Sequence, residues 1–155
     1  KYPRLLVLRT LSKAFGLAGI RCGYALGNKE IIDILYKVKG PYNLNVLTQK
    51  LAVIALKNRD AILRNLETLK DERQKAMRVL ETMPGLTLYP SGANFIYFET
   101  DRAEAIYEAL LKRNILIKRF TETDATPGSI RFSMGKPQEN QKILDIIREV
   151  VYNEA

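Results

Sequence analysis

The chain has 155 residues, 46% of them hydrophobic and 27% charged, and its 25 Lys and Arg against 17 Asp and Glu give a net charge of +8. That length suffices for one compact domain, which buries about 68–70% of the surface its unfolded chain exposes. The complete lack of histidine excludes His-based triads and His-ligated metal sites, and the single cysteine, Cys22, excludes an intrachain disulfide and a zinc ribbon.

Leu5-Leu6-Val7-Leu8 is a short apolar, β-prone run and predicts a strand. Thr10-Leu11-Ser12-Lys13 follows, with Gly16, Gly19, Arg21 and Gly23 close behind. A lysine just past a strand end stands where α/β proteins bind ligands. Lysine becomes a Schiff-base nucleophile where burial or neighbouring positive charge disfavours its protonated form, and Lys13 is expected in such a setting. The Ser12 hydroxyl, peptide N–H groups exposed by Gly16 and Gly19, and the Arg21 guanidinium can together hold a phosphate. Taken alone, Lys13 reads as a surface lysine in a glycine-rich loop and Arg21 as an ion-pair residue. Their ordered spacing after a strand promotes both to a cofactor site.

Arg21 to Leu26 predicts the next strand, and Asn28 caps a surface helix to about Val38, which Gly40-Pro41 breaks. After the Pro41-Tyr42-Asn43-Leu44-Asn45 loop, Asn45 with Thr48 and Gln49 starts a second helix through Leu51, Ile54 and Ala55. Asn58 precedes a third, with apolar positions at Ile62, Leu66, Leu69, Ala76 and Leu80, about 35 Å long at 1.5 Å per residue. Pro84-Gly85 ends it. Leu86 to Tyr89 and Asn94 to Phe98 predict strands around Pro90-Ser91-Gly92. Asp101 and Glu104 form a capping box for a helix to about Arg113, broken by Asn114, and Ile115 to Arg119 predicts a strand. Thr126-Pro127-Gly128 turns the chain into a strand from Ser129 to Met134, and Pro137 opens a final amphipathic helix. This second half is a small α+β domain.

Arg131 stands in an otherwise apolar strand, where a charge is costly unless it is paired or faces a ligand cleft. Arg119 closes the preceding predicted strand, where arginines are commonly solvent exposed. Asn94 serves either a cleft or its own backbone.

The run Leu-Ser-Lys-Ala-Phe-Gly-Leu-Ala-Gly-Ile-Arg-Cys-Gly-Tyr, residues 11 to 24, resembles the lysine segment of class I/II pyridoxal-phosphate aminotransferases, and most of all their histidinol-phosphate branch. The resemblance implies that Lys13 bonds the aldehyde of pyridoxal 5'-phosphate while Ser12 and Arg21 bind its phosphate. Cys22 departs from the aliphatic residue common there, and a small buried thiol substitutes at little cost. Ile-Arg-Phe-Ser-Met-Gly, with Gly135-Lys136-Pro137-Gln138-Glu139-Asn140 after it, resembles the segment of the family's substrate-anion arginine, which implies that role for Arg131. By the same resemblance Arg119 is the branch's second phosphate-binding arginine and Asn94, in Ser-Gly-Ala-Asn-Phe, a substrate-binding residue.

The implied fold is α/β: residues 1–45 end a fold-type I large domain, 46–83 are linking helices and 84–155 are a small α+β C-terminal domain. Family enzymes run well over twice this length, and the chain opens on Lys1. It is therefore expected to be their C-terminal portion, inactive alone, with the family's pyridine-nitrogen aspartate, ring-stacking aromatic and cofactor-contacting asparagine lying upstream. The implied reaction is transamination of histidinol phosphate with 2-oxoglutarate, giving imidazole-acetol phosphate and glutamate, with Lys13 moving the proton as base and then acid. The implied partners are a small amino donor and a 2-oxo acid, together with a second subunit in a homodimer, whose cofactor the Tyr42 to Asn45 loop approaches. The alternatives are another class I/II aminotransferase, a threonine-phosphate decarboxylase, or an aminotransferase-like effector domain of a transcription regulator.

Residues 1 to 40 hold eight Lys and Arg against two Asp and Glu, so the basic excess surrounds the expected phosphate site. Anionic cofactor and substrate account for it, and neither a basic stripe with interleaved aromatics nor a known motif points to nucleic acid. No apolar run approaches the roughly 18 residues of a membrane span, and no secretory signal is present, which fits a cytoplasmic protein.

Overall fold

A computed structural model describes residues 2–153, so Lys1 lies outside the described residues. The chain divides between Leu66 and Glu67 into two compact units.

In the first unit, strands β1 (Leu6–Thr10) and β2 (Gly23–Gly27) pair antiparallel from Leu6 opposite Gly27 to Thr10 opposite Gly23. Gly23 is required there: a Cβ would stand 2.7 Å from the Arg9 carbonyl oxygen. Helix α1 (Lys29–Val38) starts where Asn28 Oδ1 accepts the Glu30 N–H at 3.2 Å. Helix α2 (Val46–Lys57) starts likewise, with Asn45 Oδ1 accepting the Thr48 N–H at 2.9 Å. Both asparagines act as the sequence predicts, each satisfying an N–H that has no partner inside its helix. Helix α3 (Arg59–Glu81) begins in this unit and ends in the next.

The second unit is a four-stranded antiparallel sheet, β3 (Thr87–Leu88), β4 (Phe95–Glu99), β6 (Ser129–Ser133) and β5 (Lys118–Arg119) in spatial order. Helices α4 (Ala103–Leu111) and α5 (Pro137–Asn153) and the end of α3 supply the rest of its core. The alternation in β4 and β6 sends Ile96, Phe98, Ile130 and Phe132 inward against Leu80, Ile106, Leu110, Leu144 and Ile147. The apolar stripe expected on α3 is this contact, with Ala76 and Leu80 buried and Leu69 and Met77 packed at the edge.

Three local expectations change. The Asp101–Glu104 capping box does not form: α4 begins at Ala103, the Arg102 N–H bonds the Thr100 hydroxyl at 3.2 Å, and Glu104 turns away to pair with Arg119. Strand β5 is two residues rather than five, because Asn114 takes a left-handed conformation at φ 59° and the Ile115 N–H stays on the Leu110 carbonyl, keeping the chain on the helix end. Arg21 is not in β2. It closes a short 3-10 turn (Ala18–Ile20) at φ 53°.

Candidate functional site

The loop between β1 and β2 carries Ser12, Lys13 and Arg21, and its shape follows from a few backbone bonds. Leu11 is 1% exposed; its N–H reaches the Cys22 carbonyl at 3.0 Å, and its own carbonyl accepts the Leu17 N–H at 3.0 Å. Residues 12 to 16 therefore leave and return to one buried anchor. Cys22 is buried beside it, as expected of a thiol standing for an aliphatic side chain. The Thr48 hydroxyl on α2, 4% exposed, donates to the Ile20 carbonyl at 3.0 Å and ties the far end of the loop to a helix.

Within this frame Ser12 is set by Thr10. The Ser12 N–H donates to Thr10 Oγ1 at 3.0 Å, and the Thr10 hydroxyl donates to Ser12 Oγ at 2.9 Å. Having accepted that bond, the Ser12 hydroxyl keeps its own proton to donate outward. The Arg21 side chain is exposed and gives one guanidinium nitrogen to the Ala18 carbonyl at 3.1 Å, which leaves its other donors for an anion. Lys13 is exposed, and its amine has no hydrogen-bond or ion-pair partner among the described residues. The Gly16 N–H is not available to a phosphate, because it closes a turn on the Lys13 carbonyl at 2.9 Å while Gly16 sits at φ 66°. A primary amine, a hydroxyl donor and a guanidinium on one loop suit a ligand with an aldehyde and a phosphate arm.

The remaining predicted residues belong to the second unit. Asn94 is half-buried before β4; its carbonyl accepts the Met134 N–H at 2.9 Å, and its side chain has no hydrogen bond among the described residues. The preceding turn is pinned by Arg73, which donates to the Ala93 carbonyl, and by Ser91, which donates to the Phe95 carbonyl at 2.6 Å. Arg131 points to the face of the sheet away from the core and lies over the Phe95 ring at 5.3 Å, so its place in an apolar strand carries no burial cost.

The structure does not bring Arg119 and Arg131 together. Arg119 is opposite Ile130, on the helix-covered face, where it pairs with Glu104 and lies 4.9 Å from the Tyr107 ring centre. Lys118 is the direct cross-strand partner of Arg131, and Tyr97 is its partner on the other side. The outer face thus presents two cations among aromatic rings: Tyr89 and Tyr97 are 5.3 Å apart, Tyr97 and Phe120 5.9 Å, and Lys118 lies over Phe120 at 4.8 Å. Lys118 and Arg119 are adjacent basic residues, and only the pairing register shows which of them shares a face with Arg131.

Among the described residues no helix is long and apolar enough to cross a membrane. A family model described as aminotransferase class I and II matches residues 1–147. The chain is 37% identical over 151 residues to a histidinol-phosphate aminotransferase of Caldanaerobacter subterraneus subsp. tengcongensis, covering 97% of this chain and 43% of that protein. Among solved structures, a histidinol-phosphate aminotransferase from Clostridium acetobutylicum superposes with a TM-score of 0.83 at 28% identity, over 98% of this chain and 47% of that one. One from Sinorhizobium meliloti, in complex with pyridoxal-5'-phosphate, gives 0.78 at 26% identity, over 99% and 42%. The chain spans less than half the length of these relatives.

Proposed function

Because this chain belongs to the class I and II aminotransferases, we propose that it supplies the lysine side of a pyridoxal-phosphate site for transamination of a phosphate-bearing amine. The observation that carries this reading is the Leu11-anchored loop, which holds the unpartnered Lys13 amine together with Ser12 and Arg21. Lys13 Nζ would hold the cofactor at its aldehyde, and the Ser12 hydroxyl and Arg21 guanidinium would hold its phosphate. The cofactor, when bound, supplies the electron sink that makes the substrate's amine-bearing carbon acidic. The Lys13 amine, set free when the substrate amine takes its place, would take the proton from that carbon and later return one, acting as base and then acid.

For the substrate, the reading is histidinol phosphate, with 2-oxoglutarate as amino acceptor and imidazole-acetol phosphate and glutamate as products. The names of the histidinol-phosphate aminotransferases that the chain resembles support the amino donor. On the sheet face, Arg131 with Lys118 is the anion pair; Arg119 keeps Glu104. Two separate cations suit a site that must take a phosphate from one substrate and a carboxylate from the next. Asn94, beside Met134, borders the same strand end. In this reading the first 45 residues belong to a large cofactor domain, residues 46–83 to linking helices and residues 84–155 to a small domain. The protein works in the cytoplasm as a homodimer, with Tyr42, 97% exposed at φ 56°, reaching toward the partner.

The test is to add pyridoxal phosphate to the full-length protein, reduce with borohydride and map the modified peptide by mass spectrometry. A stable adduct on Lys13 is expected. An adduct on any other lysine, with Lys13 unmodified, overturns the assignment. Spectral change on adding histidinol phosphate, against aspartate and phenylalanine, then ranks the substrate.

A further inference from the structure

The Lys118 ammonium is already spoken for. It lies 3.4 and 3.5 Å from the two carboxylate oxygens of Asp124, in the loop joining β5 to β6. That carboxylate is fixed by its own turn: Oδ2 accepts the Thr121 N–H at 2.7 Å and the Thr121 hydroxyl at 3.2 Å. These bonds, led by the one from the Thr121 backbone and joined by Lys118, hold the Asp124 carboxyl below the usual carboxylate range against the opposing effect of burial. The contact to Lys118 is longer than the roughly 2.7–2.9 Å of a strong charge-assisted hydrogen bond. Asp124 is thus bolted to the turn and loosely tethered to the lysine. The neighbouring Arg131 has no carboxylate partner among the described residues, and Glu99, on β4, is approached by the Tyr97 hydroxyl at 3.4 Å and accepts a hydrogen bond from the Tyr89 side chain.

We infer that Asp124 is a specificity residue: an internal counter-ion that an incoming anion must displace from Lys118, which favours a phosphate dianion over a carboxylate. The inference rests on Arg131 and Lys118 forming the substrate-anion site. The physical ground is competition. A carboxylate from solution has the same charge as Asp124 and must displace a group already in place, whose tethering gives it a high effective concentration. A phosphate ester brings about −1.5 to −2 charges and three acceptor oxygens. It can engage Arg131 and draw Lys118 from Asp124 together, whereas a carboxylate does best at Arg131 alone. Without Asp124, two like charges would stand directly opposite each other across β5 and β6, an unfavourable arrangement. The aspartate relieves that repulsion and leaves the lysine recruitable.

The test is calorimetric titration with inorganic phosphate and with acetate at fixed ionic strength, all in an Arg21→Gln background that removes the arginine assigned to the cofactor phosphate, so that the sheet face is what is read. Asp124→Asn is the central variant, because its amide oxygen can still accept the Thr121 N–H; Asp124→Ser is a second that retains a side-chain acceptor. Both are expected to tighten acetate more than phosphate, narrowing the preference by up to about fivefold, the worth of an exposed ion pair. Lys118→Gln is expected to cancel that narrowing in the double variant. An unchanged phosphate-to-acetate ratio in both Asp124 variants, or a narrowing that survives Lys118→Gln, overturns the inference. Arg131→Gln separates the two layers. If it weakens phosphate while the Asp124 variants change nothing, only the role of Asp124 falls; if it leaves phosphate binding intact, the anion site falls with it.

Discussion

Lys118 and Arg131 are direct partners across β5 and β6, whereas Arg119, the next residue along, faces Ile130 and the helices. Adjacent residues of a strand point to opposite faces, so the two basic side chains of Lys118-Arg119 have different work. Lys118→Gln is expected to raise KM for a phosphorylated substrate about tenfold or more, the cost of one charged hydrogen bond, with little effect on unfolding. Arg119→Gln is expected to do the reverse, lowering stability by about 1 kcal/mol or less because its partner Glu104 is largely exposed. Steady-state kinetics of the full-length enzyme beside thermal unfolding, with both variants, decides it. A larger KM effect from Arg119 than from Lys118 would restore the pairing that the sequence suggested.

Gly23→Ala is expected to open the hairpin that carries Lys13. The added carbon meets the Arg9 carbonyl oxygen, a backbone atom that cannot swing aside, at 2.7 Å. Hydrogen exchange at the Leu11 amide, which bonds the Cys22 carbonyl, should accelerate. Protection equal to that of the unaltered chain contradicts the expectation.

What could be read from the sequence had a local cause. Asn28 and Asn45 cap their helices because a short side chain reaches an N–H two or three residues on, and Asn114 stops α4 because it tolerates a left-handed backbone. The order of Ser12, Lys13 and Arg21 was equally legible, being a matter of spacing along one loop. What could not be read depends on partners distant in sequence. A two-residue strand such as β5 has no alternation long enough to say which side chain faces the core, and a slip of one residue exchanges them. Glu104 looks like half of a capping box until Arg119, brought beside it by the sheet, offers a charge. The turn at Gly16 consumes a backbone donor that composition alone would have assigned to a phosphate.

Thr48→Val is expected to loosen the lysine loop from a distance of 28 residues. The substitution keeps the shape but leaves the Ile20 carbonyl without its buried donor, a loss of about 1–3 kcal/mol. Unfolding measurements give the size, and faster exchange at the Leu17 amide locates it. A full-sized loss with Leu17 unaffected would place the effect within α2.

Glu72 makes the second unit sensitive to acid. Its carboxylate accepts from Lys75 at 3.0 Å and from the buried Asn140 side chain at 3.2 Å, and these bonds, Lys75 first, hold its pKa below the ordinary 4.5 against the opposing effect of burial. Asn140 in turn accepts the Gly135 N–H at 2.8 Å and donates to its carbonyl at 3.2 Å. A group depressed on folding stabilises the native state above its unfolded pKa, and that contribution disappears as pH falls through the folded value. Glu72→Gln is therefore expected to cost stability at neutral pH and nothing once pH is well below 4.5. Thermal unfolding of both proteins across that range should show the gap closing; a gap independent of pH would mean that the charge of Glu72 is not what holds α3 to α5.

The chain has eight tyrosines and no tryptophan. Its near-ultraviolet spectrum is consequently free of indole bands, and Tyr97, between a tilted Tyr89 and an edge-on Phe120 and opposite Arg131, stands in an asymmetric environment. An anion on Arg131, if the proposed site holds, would sit across the strand from that ring cluster, so circular dichroism in the tyrosine band would report occupancy of the sheet face with no label attached.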